Sequence, residues 1–229
     1  MLCRNYSRAL CVSNEAVSRG HLITFEGGEG AGKSTQMKRL REWLKDQGRT
    51  VLTTREPGGT PGAEAVRHAV LSGAVKDLGT TAEAVMFAAA RADNVLNVIR
   101  PALLRGEIVL CDRYLDSSRV YQGIAGGVPA SIIEPLQAAA TEGASPDLTL
   151  MFDIDPVLGL ERAAQVWAED GPDRYEQDKL EQQRERREAF RAIAEREPHR
   201  CVLIDAADTP DAVFDTMRTA VSSYLEAHD

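Results

Sequence analysis

Short apolar runs alternate along this chain with longer segments in which apolar positions recur every three or four residues. The runs near 22–26, 50–54, 107–111, 148–152 and 201–205 predict short buried strands. The helical period over 33–47, 61–72, 80–104, 129–142, 156–168, 176–196 and 210–226 predicts amphipathic helices, the first with Met37, Leu40 and Leu44 on one face. Alternation of this kind builds βαβ units. The expected fold is therefore α/β, with a five-stranded parallel sheet and helices on both faces. Gly48 after Asp46-Gln47 and Gly106 after Arg105 mark helix ends. Ser145-Pro146-Asp147 breaks the chain before the fourth strand. There is no internal repeat, low-complexity tract or sign of a second domain.

Composition narrows the partners. A chain of 229 residues with 43% hydrophobic and 27% charged residues suits one substantial soluble domain. Its net charge of −8 argues against a nucleic-acid binder, which needs a basic surface. It does not argue against a nucleotide, since a few local arginines hold a phosphate. The four cysteines, Cys3, Cys11, Cys111 and Cys201, are widely spaced and form no C-x-x-C pair, as expected for reduced thiols of a cytoplasmic protein. No apolar run approaches the ~18 residues of a membrane span, so no membrane partner is expected. Residues 1–20 carry Arg4, Arg8 and Arg19, a single acid (Glu15), and no apolar core of a secretory signal. They read as a disordered extension or an over-called start, with a transit peptide as the alternative, and the domain is expected over 21–229.

Chemistry is expected at the strand ends, because open parallel sheets bind ligands beyond the C-terminal ends of their strands. After the first strand comes Gly27-Gly28-Glu29-Gly30-Ala31-Gly32-Lys33-Ser34, followed by Thr35 and a helix. This fits the P-loop pattern G-x-x-x-x-G-K-[ST]. Glycines let backbone N–H groups converge on phosphate oxygens at a helix N-terminus. Lys33 is then expected on the β- and γ-phosphates of ATP, and Ser34 on Mg²⁺. Arg55-Glu56-Pro57-Gly58-Gly59 follows the second strand and offers a guanidinium to a phosphate, or is simply a polar turn. Asp112-Arg113-Tyr114 follows the third; Asp112 is placed to hold Mg²⁺ and Arg113 a second phosphate, the plain alternative being an internal ion pair. Phe87 and Arg91 share a helical face across small alanines, the spacing either of a base-stacking recess or of ordinary core and surface. Asp173-Arg174-Tyr175-Glu176 follows an acidic Gly-Pro segment that reads as a lid over 165–175. The mixed charges of 181–188 read as a solvated helix face.

Taken together, these segments resemble the thymidylate kinase family, P-loop enzymes that phosphorylate dTMP to dTDP with ATP. The resemblance covers about 21–226 in the right order, and the combination is far more specific than the P-loop alone. It implies the three-layer P-loop kinase fold with a short lid, ATP and dTMP as ligands, Mg²⁺ as cofactor and a homodimer. It also implies residue roles. The loop from Gly27 to Thr35 would hold ATP. Arg55 and Arg113 would clamp the dTMP phosphate beside Pro57 and Gln122, Phe87 would stack on thymine, and Arg91 would donate to thymine O4. Ser118 matches a contact to the base edge, Tyr121 an aromatic near the sugar C2′, and Glu29 an acid near sugar and phosphate. Arg174 matches the lid arginine. One departure stands out: relatives with glycine at the position of Gly30 usually carry extra basic residues in the lid, whereas 163–173 holds no Lys or Arg. Arg174 is therefore expected to stabilise the transition state, with Arg162 assisting or structural. The rival readings are another P-loop monophosphate or deoxynucleoside kinase, the latter using Glu26 or Asp112 as base, and a non-catalytic nucleotide sensor.

Overall fold

The computed structural model describes residues 19–164 and 179–228. Most of the N-terminal extension, the lid segment with Arg174, and the flanking ends of two expected helices lie outside the described residues. Among the described residues are strands β1 (Leu22–Gly27), β2 (Val51–Arg55), β3 (Ile108–Asp112), β4 (Leu148–Asp153) and β5 (Cys201–Asp205). They form one parallel sheet in the order β2-β3-β1-β4-β5. The chain is already packed at Gly20, whose N–H donates to the Leu103 carbonyl at 2.9 Å.

The helices are α1 (Lys33–Asp46), α2 (Pro61–Leu71), α3 (Thr80–Asn94), α4 (Arg100–Leu104), α5 (Leu115–Ser118), α6 (Ala130–Thr141), α7 (Pro156–Ala164), α8 (Leu180–Arg196) and α9 (Pro210–His228). Local chemistry sets several ends. Thr60 caps α2 by accepting from the Ala63 N–H, and Pro61 occupies the first turn, where a missing N–H costs nothing. The helix expected over 80–104 is interrupted at Val95–Ile99 by a π turn, and the Arg100 N–H reaches back to the Val95 carbonyl. Pro101 explains the break, since it cannot donate in the regular ladder. Leu115–Ser118 and the π turn Arg119–Ile124 form a helical stretch that the periodicity did not predict.

Strand alternation sorts the core into two layers. Ile23, Phe25, Leu110, Leu150, Phe152 and Ile204 face α1 and α9, where they meet Leu40, Leu44, Val213, Met217 and Val221. On the opposite face Leu22, Val109 and Cys111 meet Val95, Ile99 and Leu103, and Met151 and Cys201 meet Phe190 and Ile193 of α8. Each such buried side chain contributes about 1.5–3 kcal/mol. This rigid sandwich leaves the C-terminal ends of β1 and β3 side by side, with Phe25 opposite Asp112.

Candidate active site

The loop between β1 and α1 forms one end of a cleft of 670 Å³. Gly32 adopts a left-handed backbone with φ 80°, so α1 starts at Lys33 with its amides aimed into that cleft. Gly30 packs against α7 with φ 67°, and a Cβ there would lie 1.8 Å from the Gly159 carbonyl oxygen. Residues Glu29 to Thr35 line the cleft; Gly27 and Gly28 lie behind it, and their carbonyls accept from Lys33 Nζ at 3.1 and 2.6 Å. Burial lowers the Lys33 pKa, as does the charge of Arg113, while Glu29 and Asp112 oppose the shift. Ser34 Oγ donates to Asp112 Oδ2 at 2.8 Å. A hydroxyl and a carboxylate this close form an oxygen-only pair of the type that suits Mg²⁺.

The middle of the cleft is an ion-pair cluster. Arg113 has a left-handed backbone, φ 64°, and its guanidinium pairs with Glu29 while donating to the Gly27 carbonyl at 3.2 Å and to Ser117 Oγ at 3.3 Å. Burial raises the Glu29 pKa, but Arg113 and Lys33 outweigh it and hold the carboxyl at about 2. Tyr121 donates its hydroxyl to the same Glu29 oxygen at 2.8 Å, and its ring lies beneath the guanidinium groups of Arg113 and Arg186. Burial pushes the Tyr121 phenol up, so it stays a donor.

The far end is a recess lined by Pro57, Phe87, Arg91, Ser118 and Gln122. Arg91 is only 2% exposed. Its Nε donates to Glu56 at 2.6 Å and its terminal nitrogens to Gln137, to the Tyr114 carbonyl at 2.8 Å and to Ser118 at 3.3 Å. Glu56, whose pKa burial raises against the opposing pull of Arg91, is fixed further by Asn94. The bonds to Ser118 are the longest of the set, so they are the ones a ligand carbonyl would replace at least cost.

A phosphate loop with its metal-type pair, a central arginine and a recess with one aromatic wall and a buried arginine thus share one cleft. The thymidylate kinase family model matches residues 25–217 of this chain. The chain belongs to the thymidylate kinase family. A thymidylate kinase of Bradyrhizobium sp. (strain ORS 278) is 49% identical over 207 residues, covering 90% of this chain and 92% of the relative. One from Bradyrhizobium sp. (strain BTAi1 / ATCC BAA-1182) is 51% identical over 195 residues, covering 85% and 86%. The crystal structure of thymidylate kinase from Ehrlichia chaffeensis superimposes with a TM-score of 0.69 at 29% identity, covering 88% of this chain and 99% of that one. The five-stranded parallel sheet is the fold expected of a thymidylate kinase.

Not every residue expected from the thymidylate kinase resemblance reaches the cleft. Arg55, at the end of edge strand β2, turns outward and pairs with Glu64 at 3.1 Å. A phosphate would have to compete with that carboxylate for it. Arg67 of α2 stands in the cleft wall instead and donates to the Pro57 carbonyl at 3.0 Å. Arg162 also lines the cleft, but two of its nitrogens donate to the Ala206 and Ala207 carbonyls at 2.6 and 3.0 Å, a structural tie between α7 and the loop after β5. Arg67 and Glu56 are the residues that sequence reasoning passed over. A cation in the second turn of a helix that starts just after the Arg55–Gly59 turn was the available signal for the first.

Proposed function

We propose that this chain transfers the γ-phosphoryl group of ATP to dTMP, giving dTDP and ADP, as a cytoplasmic homodimer that uses Mg²⁺. The observation that carries the reading is the run of sites along one cleft, from the loop at Lys33 through Arg113 to the recess of Phe87 and Arg91. Two negatively charged reactants must be drawn together, and most of the barrier is lowered by positioning and fixed positive charge. Lys33 and the amides of 30–35 bind the donor phosphates. Arg113, with Arg67 on the neighbouring wall, binds the acceptor phosphate, and Glu29 keeps the Arg113 guanidinium from swinging away. Ser34 and Asp112 fit Mg²⁺, which when bound neutralises charge on the β- and γ-phosphates. Arg174, outside the described residues, remains the choice for the lid cation.

Base choice follows from Arg91, which is donor-only. Thymine O4 accepts from it, whereas cytosine presents an amino donor at the same place and leaves both groups unsatisfied. Phe87 supplies the stacking face. Glu26 lies behind the cleft rather than in it and is wholly buried, which disfavours its use as the base of a nucleoside kinase. Support for the dimer comes from Val85, Ala89, Ala92 and Leu96, an apolar stripe of one helical face, with Val85 48% and Leu96 57% exposed. ADP release from Mg·ATP should be fast with dTMP, slower with dUMP and nearly absent with dCMP, dAMP or thymidine. Comparable rates on dCMP would refute the Arg91 argument, a preference for thymidine would move the chain to the nucleoside kinases, and ATP binding with no turnover on any acceptor would favour a sensor. Chelating the metal should stop turnover.

A further inference from the structure

Glu26 is the penultimate residue of β1 and does not line the cleft, yet every hydrogen bond its carboxylate accepts comes from the turn that carries Arg113. Its Oε1 accepts from the Tyr114 N–H at 2.8 Å and the Ser117 N–H at 3.1 Å, and its Oε2 accepts from Ser117 Oγ at 2.6 Å. Ser117 Oγ in turn lies 3.3 Å from Arg113 Nη1. Arg113 itself holds φ 64°, a conformation that a residue with a Cβ adopts only at some cost in energy. The charges that act on it include Arg113, Lys33, Arg91 and the carboxylate of Asp116, the last fully buried and held by Arg200 at 2.8 and 2.9 Å and by Arg119 at 3.1 Å.

We infer that Glu26 is a positioning residue for the acceptor phosphate: by gripping Tyr114 and Ser117 it locks the turn that aims Arg113 into the cleft. The inference rests on the reading of Arg113 as the phosphate-binding arginine of the acceptor site. Burial, with the Asp116 charge, pushes the Glu26 pKa up to about 7, while the Ser117, Arg113 and Tyr114 contacts pull it down. A carboxyl group kept in so unfavourable a place, with all its side-chain contacts on one short turn, stabilises that turn at the expense of its own solvation. Because β1 ends at the phosphate loop, the same residue sets the Arg113 guanidinium in register with the Gly27 carbonyl it touches.

The test is steady-state kinetics of the full chain with the variants Glu26→Gln, Ser117→Ala and the double variant, varying dTMP and ATP separately, with thermal unfolding alongside. Glutamine is isosteric and keeps the acceptor for both N–H groups but loses the charge. The expected result is a rise of roughly tenfold in KM for dTMP, the loss of about one charge-assisted bond, with KM for ATP unmoved. The double variant should be no worse than the poorer single one, because both remove the same link. A folded Glu26→Gln protein with wild-type KM for dTMP, equal losses toward both substrates, or fully additive effects would overturn the inference. If Glu26→Gln does not fold, Glu26→Asp, which keeps the charge, should still raise KM for dTMP alone, and an unchanged value there would overturn it too. A wild-type chain that ignores dTMP fails the kinase reading itself, which separates the two failures.

Discussion

Arg91 and Glu56 form a buried pair, both nearly inaccessible, so removing one strands the other. Arg91→Ala should lower unfolding free energy by about 3–5 kcal/mol in urea titrations, beyond any loss of dTMP turnover. Pairing it with Glu56→Gln should recover part of that loss, since no buried charge is then left alone. Glu29 gives the chain an acid-sensitive element. Its carboxyl is held at about 2 in the fold against 4.5 when unperturbed. The unfolded chain therefore takes up a proton that the folded one refuses, so stability is full above about 4.5 and falls as pH drops toward about 2. Glu29→Gln should flatten that part of the stability profile, measured as urea midpoints across the window. Of these groups the sequence made Arg91 and Glu29 visible through spacing and motif. Glu56 and Gln137 could not be seen, because their partner lies 35 and 46 residues away and only the fold brings them to it.

At the scale of elements, periodicity located all five strands to within about a residue, because their apolar runs are flanked by clear helix stops such as Gly48 and Gly106. The helical stretch after Arg113 escaped for a physical reason. Its first amides are satisfied by Glu26 from β1, a cap supplied 88 and 91 positions away, so no local signal marks its start. The break at Val95–Ile99 was hidden by a side-chain pattern that continues through it, although Pro101 announced it. The α9 helix shows how the outer layer holds. Met217 is fully buried between Val213 and Val221 against the sheet. Met217→Ala should cost about 2–5 kcal/mol, read from chemical denaturation, with a smaller effect on KM for the substrates because Met217 itself does not line the cleft, although Val213 of the same helix does.

For the molecule as a whole, no helix among the described residues is long and apolar enough to cross a membrane. The exposed stripe that runs from α3 into the π turn predicts that mass measurements by light scattering give twice the chain mass, and that Leu96→Asp gives the monomer, by placing a charge in an apolar contact. The sheet order puts β1 between β3 and β4, so the strand that launches the phosphate loop touches both the Arg113 side and the α7 side of the cleft. On the α7 side the contact is glycine on glycine: a Cβ on Gly30 would meet the Gly159 carbonyl at 1.8 Å, and one on Gly159 would meet the Glu29 carbonyl at 2.5 Å. The two positions are consequently a single packing unit. An arginine at Gly30 cannot be accommodated here unless α7 moves away. A cation for the reacting phosphates has to come from another part of this chain, and what bars it from the loop is a backbone collision rather than any lack of electrostatic need.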